Sequence, residues 1–372
     1  MYRRNLHATA GPRNTEGEPL VAPQTACDNA GMTDFRPSAS WNNLRLRAAL
    51  LRRLRDFFED RGYLEVETPL ASADTVIDRH LDPFTTVLSP DPRRPAEGKT
   101  LYLQTSPELC MKRLLAAGAP AIYQVVRSFR NGESGRLHNP EFTLIEWYRP
   151  GDGMAEQMRE LEELCRAILE KPVEGLPTTG PKLAWPAERM TYQQAFERHL
   201  GVNPHRTSVA ELKQAAAERN PSAELPALGD DRDVWLDYLL TEIIEPHLGH
   251  GRATILYEYP ASQAALARVR QDRPDQPAVA ERFEIYIESI ELANGYHELL
   301  DANLLRARNV SQNELRVADG KMALPPESRL LEAMDAGLPA CAGVALGFDR
   351  LVMLAAGAKS LAEVLAFPID RA

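Results

Sequence analysis

The chain has 372 residues, 44% hydrophobic and 26% charged, with a formal net charge of −10. That length allows one large domain or two ordinary ones, and no apolar run approaches the roughly 20 residues needed to span a bilayer. The acid excess argues against a broad nucleic-acid footprint, and the four scattered cysteines, Cys27, Cys110, Cys165 and Cys341, form no CxxC pair and read as reduced thiols of a cytoplasmic protein.

Residues 1–34 lack both an apolar h-region and hydrophobic periodicity, so they are expected to be a disordered extension and not a secretory signal. Met32 is an alternative start. NNLRLRAALLRRLRDFFEDR then spaces Leu46, Leu50, Leu54, Phe57 and Phe58 along one helical face, with Asn42 or Asn43 as cap and Gly62 as stop. YLEVETPL alternates like an edge strand ending at Pro69. LYLQTSPELCMKRLLAAG reads as a strand turning into a helix, with Ser106 as N-cap, Pro107 in the first helical position and Glu108 in the first turn. VVRSFRNGESGRLHNPEFTLIEWYR is a strand, a polar loop and a second strand. Residues 154–170 form an amphipathic helix, followed by a Pro-rich connection. From Tyr192 to about His247 the pattern is mostly helical, which predicts a helical insertion at about residues 190–250 in a mainly antiparallel sheet. Strand character returns at ATILYEYP and RFEIYIESIELANG. Here Phe283, Ile285, Ile287, Ser289 and Glu291 are assigned one strand face, with a turn at Asn294–Gly295. GVALGFDRLVMLAAGA closes the chain as a strand entering a helix. The irregular order of strands and helices predicts an α+β fold.

Three clusters carry candidate chemistry. Arg130 ends the first strand of the hairpin, where a guanidinium fork suits a phosphate. On the second strand Phe142, Leu144, Glu146 and Tyr148 point one way, and Phe142 can stack under a planar base. Glu291 and Glu298 form a pair of acids that suits Mg²⁺, which favours one or two carboxylates plus substrate phosphates. Gly343 and Gly347 allow close backbone approach, and Arg350 follows at a helix start. Each cluster also has a plain reading: paired surface arginines, solvated glutamates, and glycines that pack a helix on a sheet. Together they match what ATP activation of a carboxylate needs. No Walker A sequence, kinase motif set or Rossmann fingerprint accompanies them.

These segments resemble a known family. FFEDRGYLEVETP resembles motif 1 of class II aminoacyl-tRNA synthetases, FRNGESGRLHNPEFTLIEWY motif 2 and GVALGFDRL motif 3. TSPELCMKRLL and IELANGYHEL are similar to the lysyl branch. The likeness runs from about Trp41 to Ala372. With no anticodon-binding OB domain before motif 1, the architecture resembles the short lysyl-tRNA synthetase paralogues that modify elongation factor P. HNPEFTLIEWYRP, YPASQAALA and LAEVLAFPIDRA are close to that group. The resemblance implies a class II catalytic domain over residues 35–372, a mainly antiparallel sheet flanked by helices, and a cytoplasmic homodimer without stable tRNA binding. It implies a ligase that uses ATP and Mg²⁺ to adenylate (R)-β-lysine or lysine and passes it to a lysine side chain of elongation factor P. A truncated synthetase charging tRNA, a non-catalytic lysine-binding paralogue and an amide-forming synthetase for a free metabolite are the alternatives.

Carried over by position, Arg130 would hold the α-phosphate and Arg350 the γ-phosphate. Asn131, Gly132, Glu133, Asn139, Phe142, Glu291, Leu292 and Gly347 would belong to the ATP site. Glu291 and Glu298 would bind Mg²⁺. Ser106, Pro107, Glu108, Tyr148, Glu298 and Ala345 would line the amino-acid pocket. Two positions depart from lysyl-tRNA synthetases. Gly132 stands where the family usually has the Glu that reads adenine, and Glu133 follows it. Ala345 replaces a usual Gly, and an added methyl in a packed pocket disfavours α-lysine relative to a shifted β-amino group.

Overall fold

A computed structural model describes residues 35–176, 178–219 and 225–372; the expectation for residues 1–34 lies outside them. The first helix, α1 (Trp41–Glu59), buries Leu46, Leu50, Leu54, Phe57 and Phe58 along the expected face. Its cap is Ser40, whose Oγ accepts from the Asn43 amide at 3.1 Å, in place of the expected asparagines. Four short strands follow: β1 (Leu64–Glu65), β2 (Ala71–Ser72), β3 (Thr85–Leu88) and β4 (Lys99–Leu103). Next come α2 (Glu108–Ala116), the hairpin β5 (Ile122–Phe129) and β6 (Glu141–Pro150), and α3 (Met154–Leu169). Strand β7 (Ala184–Thr191) leads into α4 (Tyr192–Leu200), α5 (Val209–Arg219) and α6 (Arg232–Leu239). The rest of the chain supplies β8 (Arg252–Pro260), β9 (Val269–Arg270), β10 (Val279–Ile287), β11 (Ile290–His297), α7 (Ala302–Ala318), α8 (Arg329–Gly337), β12 (Cys341–Gly347) and α9 (Phe348–Ala355).

The large sheet has the order β1-β5-β6-β12-β11-β10-β8-β7, with β9 beside β10; β2-β4-β3 make a small second sheet. Within the large sheet β1–β5 and β7–β8 are parallel and the other pairs antiparallel. The architecture is α+β. Parallel neighbours need a crossover connection, and α4 to α6 provide it between β7 and β8. The helical stretch thus hooks back onto the sheet. Its Tyr192, Phe196, Trp235 and Leu239 pack in one core with Leu256, Tyr259 and Tyr286.

Strand pleating sends alternate side chains to opposite faces. One face of the central strands, with Ile145, Trp147, Leu292, Val344 and Leu346, is buried in a core with α1, α3 and α9. The opposite face of those strands carries Glu146, Tyr148, Gly343, Ala345, Asn294 and Tyr296, all lining one cavity.

Several local expectations change. β7 begins inside the stretch read as a Pro-rich connection, and α7 and α8 were not anticipated. Asn294–Gly295 is no turn: β11 runs straight through it, with Gly295 opposite Phe283. A Cβ at Gly295 would lie 2.3 Å from the Phe283 ring, so the glycine answers a close approach. The turn is at Glu288–Ser289, where both φ values are positive, 50° and 60°. Two β-branch-free polar residues tolerate this left-handed pair at some strain, and Ser289 Oγ donates to the Pro246 carbonyl at 3.1 Å.

Candidate active site

The site grows from the smallest side chains of the sheet. β12 lies between β6 and β11, and its register creates two cross-strand rows: Tyr148–Gly343–Tyr296 and Glu146–Ala345–Asn294. Because the middle member of each row is glycine or alanine, the outer residues form walls and β12 forms a floor. The resulting cavity is also lined by Ser106, Glu108 and Glu298. The glycine is needed. A Cβ at Gly343 would meet the Tyr148 ring at 2.3 Å and Glu298 Oε1 at 3.0 Å. Gly343→Ala is therefore expected to cost about 1–3 kcal/mol of stability by overpacking and to weaken amino-acid binding; urea unfolding and substrate titration check both.

Hydrogen bonds fix the walls. Ser106 Oγ contacts both Glu146 oxygens, at 2.9 and 2.7 Å, and accepts from the Glu108 amide at 3.0 Å. Helix α2 accordingly starts at Glu108, with Pro107 as the buried N-cap residue and Ser106 one position earlier than expected. Tyr148 donates to Glu146 Oε1 at 3.0 Å. Lys112, one turn after Glu108, places its ammonium 2.5 Å from Glu108 and 2.5 Å from Glu298. Asn294 donates to the Tyr296 hydroxyl at 3.0 Å.

The charges in this cavity are strained by burial. Desolvation, reinforced by Glu108, pushes the Glu146 carboxyl up to about 8, against the pull of Ser106, Tyr148 and Lys112. Desolvation raises Glu298 to about 7 despite Lys112. For Lys112 burial acts downward, but the Glu108 and Glu298 charges prevail and hold the ammonium above its ordinary value. An empty pocket of this kind is short of positive charge.

A second cavity adjoins the first and is lined by Arg130, Glu133, His138, Asn139, Phe142, Thr143, Gly347, Asp349 and Arg350 among others. Arg130 lines both cavities and lies over the Phe142 ring, 5.0 Å from its centroid. Arg350, buried, donates to the carbonyls of Glu291 at 2.7 Å and Leu137 at 3.2 Å, and contacts His138 Nε2 at 2.8 Å. Asp349 accepts from the Thr143 amide at 2.8 Å and pairs with Arg47 of α1 at 2.6 Å. Asn139 is braced between the Glu141 carbonyl, at 2.6 Å, and the Ile369 amide, at 3.0 Å.

The remaining sequence-chosen residues fall as follows. Asn131 and Gly132 lie on the exposed turn of the loop, with Gly132 at φ 83°; Glu133 is the residue that reaches the cavity wall, 3.8 Å from Arg130. Leu292 points into the core on the other face of the sheet. Glu291 and Glu298 line different cavities: Glu298 faces Lys112, whereas Glu291 opens onto a wider cleft that it shares with Glu284. Glu284 accepts from the Tyr259 hydroxyl at 2.7 Å and the Tyr286 hydroxyl at 2.6 Å and pairs with Arg282 at 2.6 Å.

The family model for tRNA synthetases class II (D, K and N) matches residues 27–371. The chain belongs to the class II tRNA synthetase family. Within that family it is 48% identical, over 339 residues, to proteins named elongation factor P--(R)-beta-lysine ligase from Klebsiella pneumoniae subsp. pneumoniae, Salmonella paratyphi B and Salmonella dublin. The matches cover 91% of this chain and 98% of each relative. Sequence reasoning about this class II synthetase left Glu146 without a role and missed Lys112, Asn294, Tyr296, His138 and Glu284 as site residues. Signals for five existed. Glu146 alternates with Tyr148, Asn294 and Tyr296 alternate with Glu298, and Lys112 stands four residues after Glu108 on a helix. Glu284 likewise alternates with Arg282 and Tyr286 on β10, whereas His138 carries no such periodic cue.

Proposed function

We propose that this class II synthetase is an ATP-dependent ligase that adenylates (R)-β-lysine or lysine and transfers it to a lysine side chain of elongation factor P. The observation that carries the reading is the double membership of Arg130, whose guanidinium lines both the acid-rich amino-acid cavity and the nucleotide cavity. That junction is where a substrate carboxylate must meet an α-phosphate. The names of the 48%-identical relatives support the acceptor and the amino acid.

In this reading the substrate carboxylate oxygen attacks the α-phosphorus, the bond to the β-phosphate oxygen breaks, and pyrophosphate leaves. An acceptor amine then attacks the carbonyl, an amide forms, AMP leaves and the amine loses a proton. Arg130 balances the two anionic partners at their meeting point, and Arg350 holds the terminal phosphates. Phe142 lies under the base, and Glu133 takes the base-reading role at the turn that Gly132 leaves bare. Glu146, Tyr148, Glu108 and Glu298 hold the substrate ammonium groups. Positioning and charge supply the rate, and no protein nucleophile takes part. Mg²⁺ would suit Glu291, whose cleft also carries Glu284, because Mg²⁺ takes few protein ligands. Bound there, it would neutralise phosphate charge. Glu298, which lines the other cavity, is assigned to the amino acid. We also take the protein to act as a cytoplasmic homodimer, on the strength of its motif 1 likeness and of an acceptor that belongs to translation.

Pyrophosphate exchange with (R)-β-lysine and with α-lysine, followed by offering the labelled amino acid to elongation factor P and to tRNA, tests the proposal. Label on the factor supports it; label on tRNA alone overturns it. Ala345, set between Glu146 and Asn294, gives a second test. Ala345→Gly is expected to raise α-lysine use about 10-fold, the scale of one methyl in a tight pocket; an unchanged ratio of the two isomers removes Ala345 from the selectivity.

A further inference from the structure

The amino-acid cavity carries three buried carboxylates, Glu108, Glu146 and Glu298, on its walls. Two cations serve it: Arg130 on its wall, and Lys112 behind Glu108 and Glu298. Lys112 has 2% side-chain exposure, and its partners have 7% and 1%. With all five groups charged, the pocket is one positive charge short of neutral. A lysine-type amino acid, with two ammonium groups and one carboxylate, supplies that one charge. Without Lys112 the shortfall would be two, and the same amino acid would leave a buried negative charge uncompensated.

We propose that Lys112 is a positioning residue that sets the charge of this pocket. By tying Glu108 to Glu298 it cancels one of three buried carboxylates and fits the cavity to a substrate of net charge +1 over one of +2. The inference rests on the reading of this cavity as the amino-acid site. Lys112 stays off the reacting atoms. It acts by holding together two acids that line the cavity.

Lysinamide keeps both ammonium groups but lacks the carboxylate, so it carries +2 and serves as the probe. In the intact protein it should compete poorly with the amino acid in pyrophosphate exchange. In Lys112→Met the KM for the amino acid should rise about 100-fold, the scale expected when one partner of a buried charge pair is removed, while the KM for ATP changes less than about threefold. The ratio of the lysinamide inhibition constant to the amino-acid KM should fall at least tenfold. Equal weakening of both compounds would mean a merely structural ion pair and would overturn the proposal. Lys112→Met combined with Glu108→Gln restores the charge count. That double variant should fold as the intact protein does and return the ratio toward its value. If the single variant does not fold, the double decides alone, and its failure to fold or a ratio tenfold below that of the intact protein overturns the proposal. If the intact protein supports exchange with no lysine-type amino acid, the functional reading itself fails, a result separate from either variant outcome.

Discussion

Arg350→Ala is expected to abolish amino-acid-dependent pyrophosphate exchange, lowering the rate by about 10²–10³-fold or more, the scale on which single preorganised donors act. The guanidinium is buried and held in place by two backbone carbonyls and by His138. It reaches the nucleotide cavity already oriented, and no solvent needs to reorganise when phosphate charge develops. Its loss strands the carbonyls of Leu137 and Glu291, at a cost of about 1–3 kcal/mol each if they stay unsatisfied. Thermal unfolding must therefore be measured beside activity. Arg350→Lys should recover folding better than exchange, because an ammonium lacks the planar fork that spans two carbonyls and a ligand. Exchange within tenfold of the intact protein in a folded Arg350→Ala variant would remove this arginine from the phosphate site.

The second large effect is expected at Glu146. Its carboxylate accepts from Ser106 and Tyr148 and faces the cavity with 2% exposure. Glu146→Gln keeps the shape and removes the charge, so amino-acid KM should rise by about 30-fold or more, as for a truncated buried charge contact, with ATP KM little changed. The pH dependence follows from the raised carboxyl. Burial, then Glu108, lift it from an ordinary 4.5 to about 8 in the empty protein, and an incoming ammonium favours the ionised form. The amino-acid KM should therefore improve as pH rises from 6 to 8, and Glu146→Gln should flatten that slope. Stability carries the opposite sign. Because the folded protein binds the proton more tightly than the unfolded chain, this group's contribution is full below about 4.5 and is lost as pH rises through about 8. Relative to Glu146→Gln, the unliganded protein should lose stability across that window. Parallel curves for the two proteins would show that Glu146 does not titrate there.

Much of this architecture is written in local pattern. The helical spacing of Leu46 to Phe58, the hairpin around Arg130 and the Gly-rich strand before Arg350 are strong periodic or punctuation signals, and each element stands where they predict it. Asn294–Gly295 misled because the same dipeptide serves tight turns and close packing, and only the position of Phe283 across the strand decides between them. The charge pairing of the pocket was hidden for a related reason. Glu291 lies at the start of β11 and Glu298 just past its end, seven residues apart, but the bulge between Ile285 and Tyr286 and the reach of Lys112 from a distant helix determine which cavity each acid faces. Long-range partners of this kind leave no trace in spacing. Glu284 is a further case: it stands opposite Asn294 across the sheet, and its partner Tyr259 comes from β8, 25 residues earlier.

The shared wall at Arg130 has a thermodynamic corollary. One guanidinium lies where two anions converge, so the occupant of either chamber alters the electrostatic welcome for the other, and linkage requires the effect to be mutual. Affinities determined for nucleotide or amino acid in isolation should thus differ from those in the ternary complex by one common factor, whichever partner is added first.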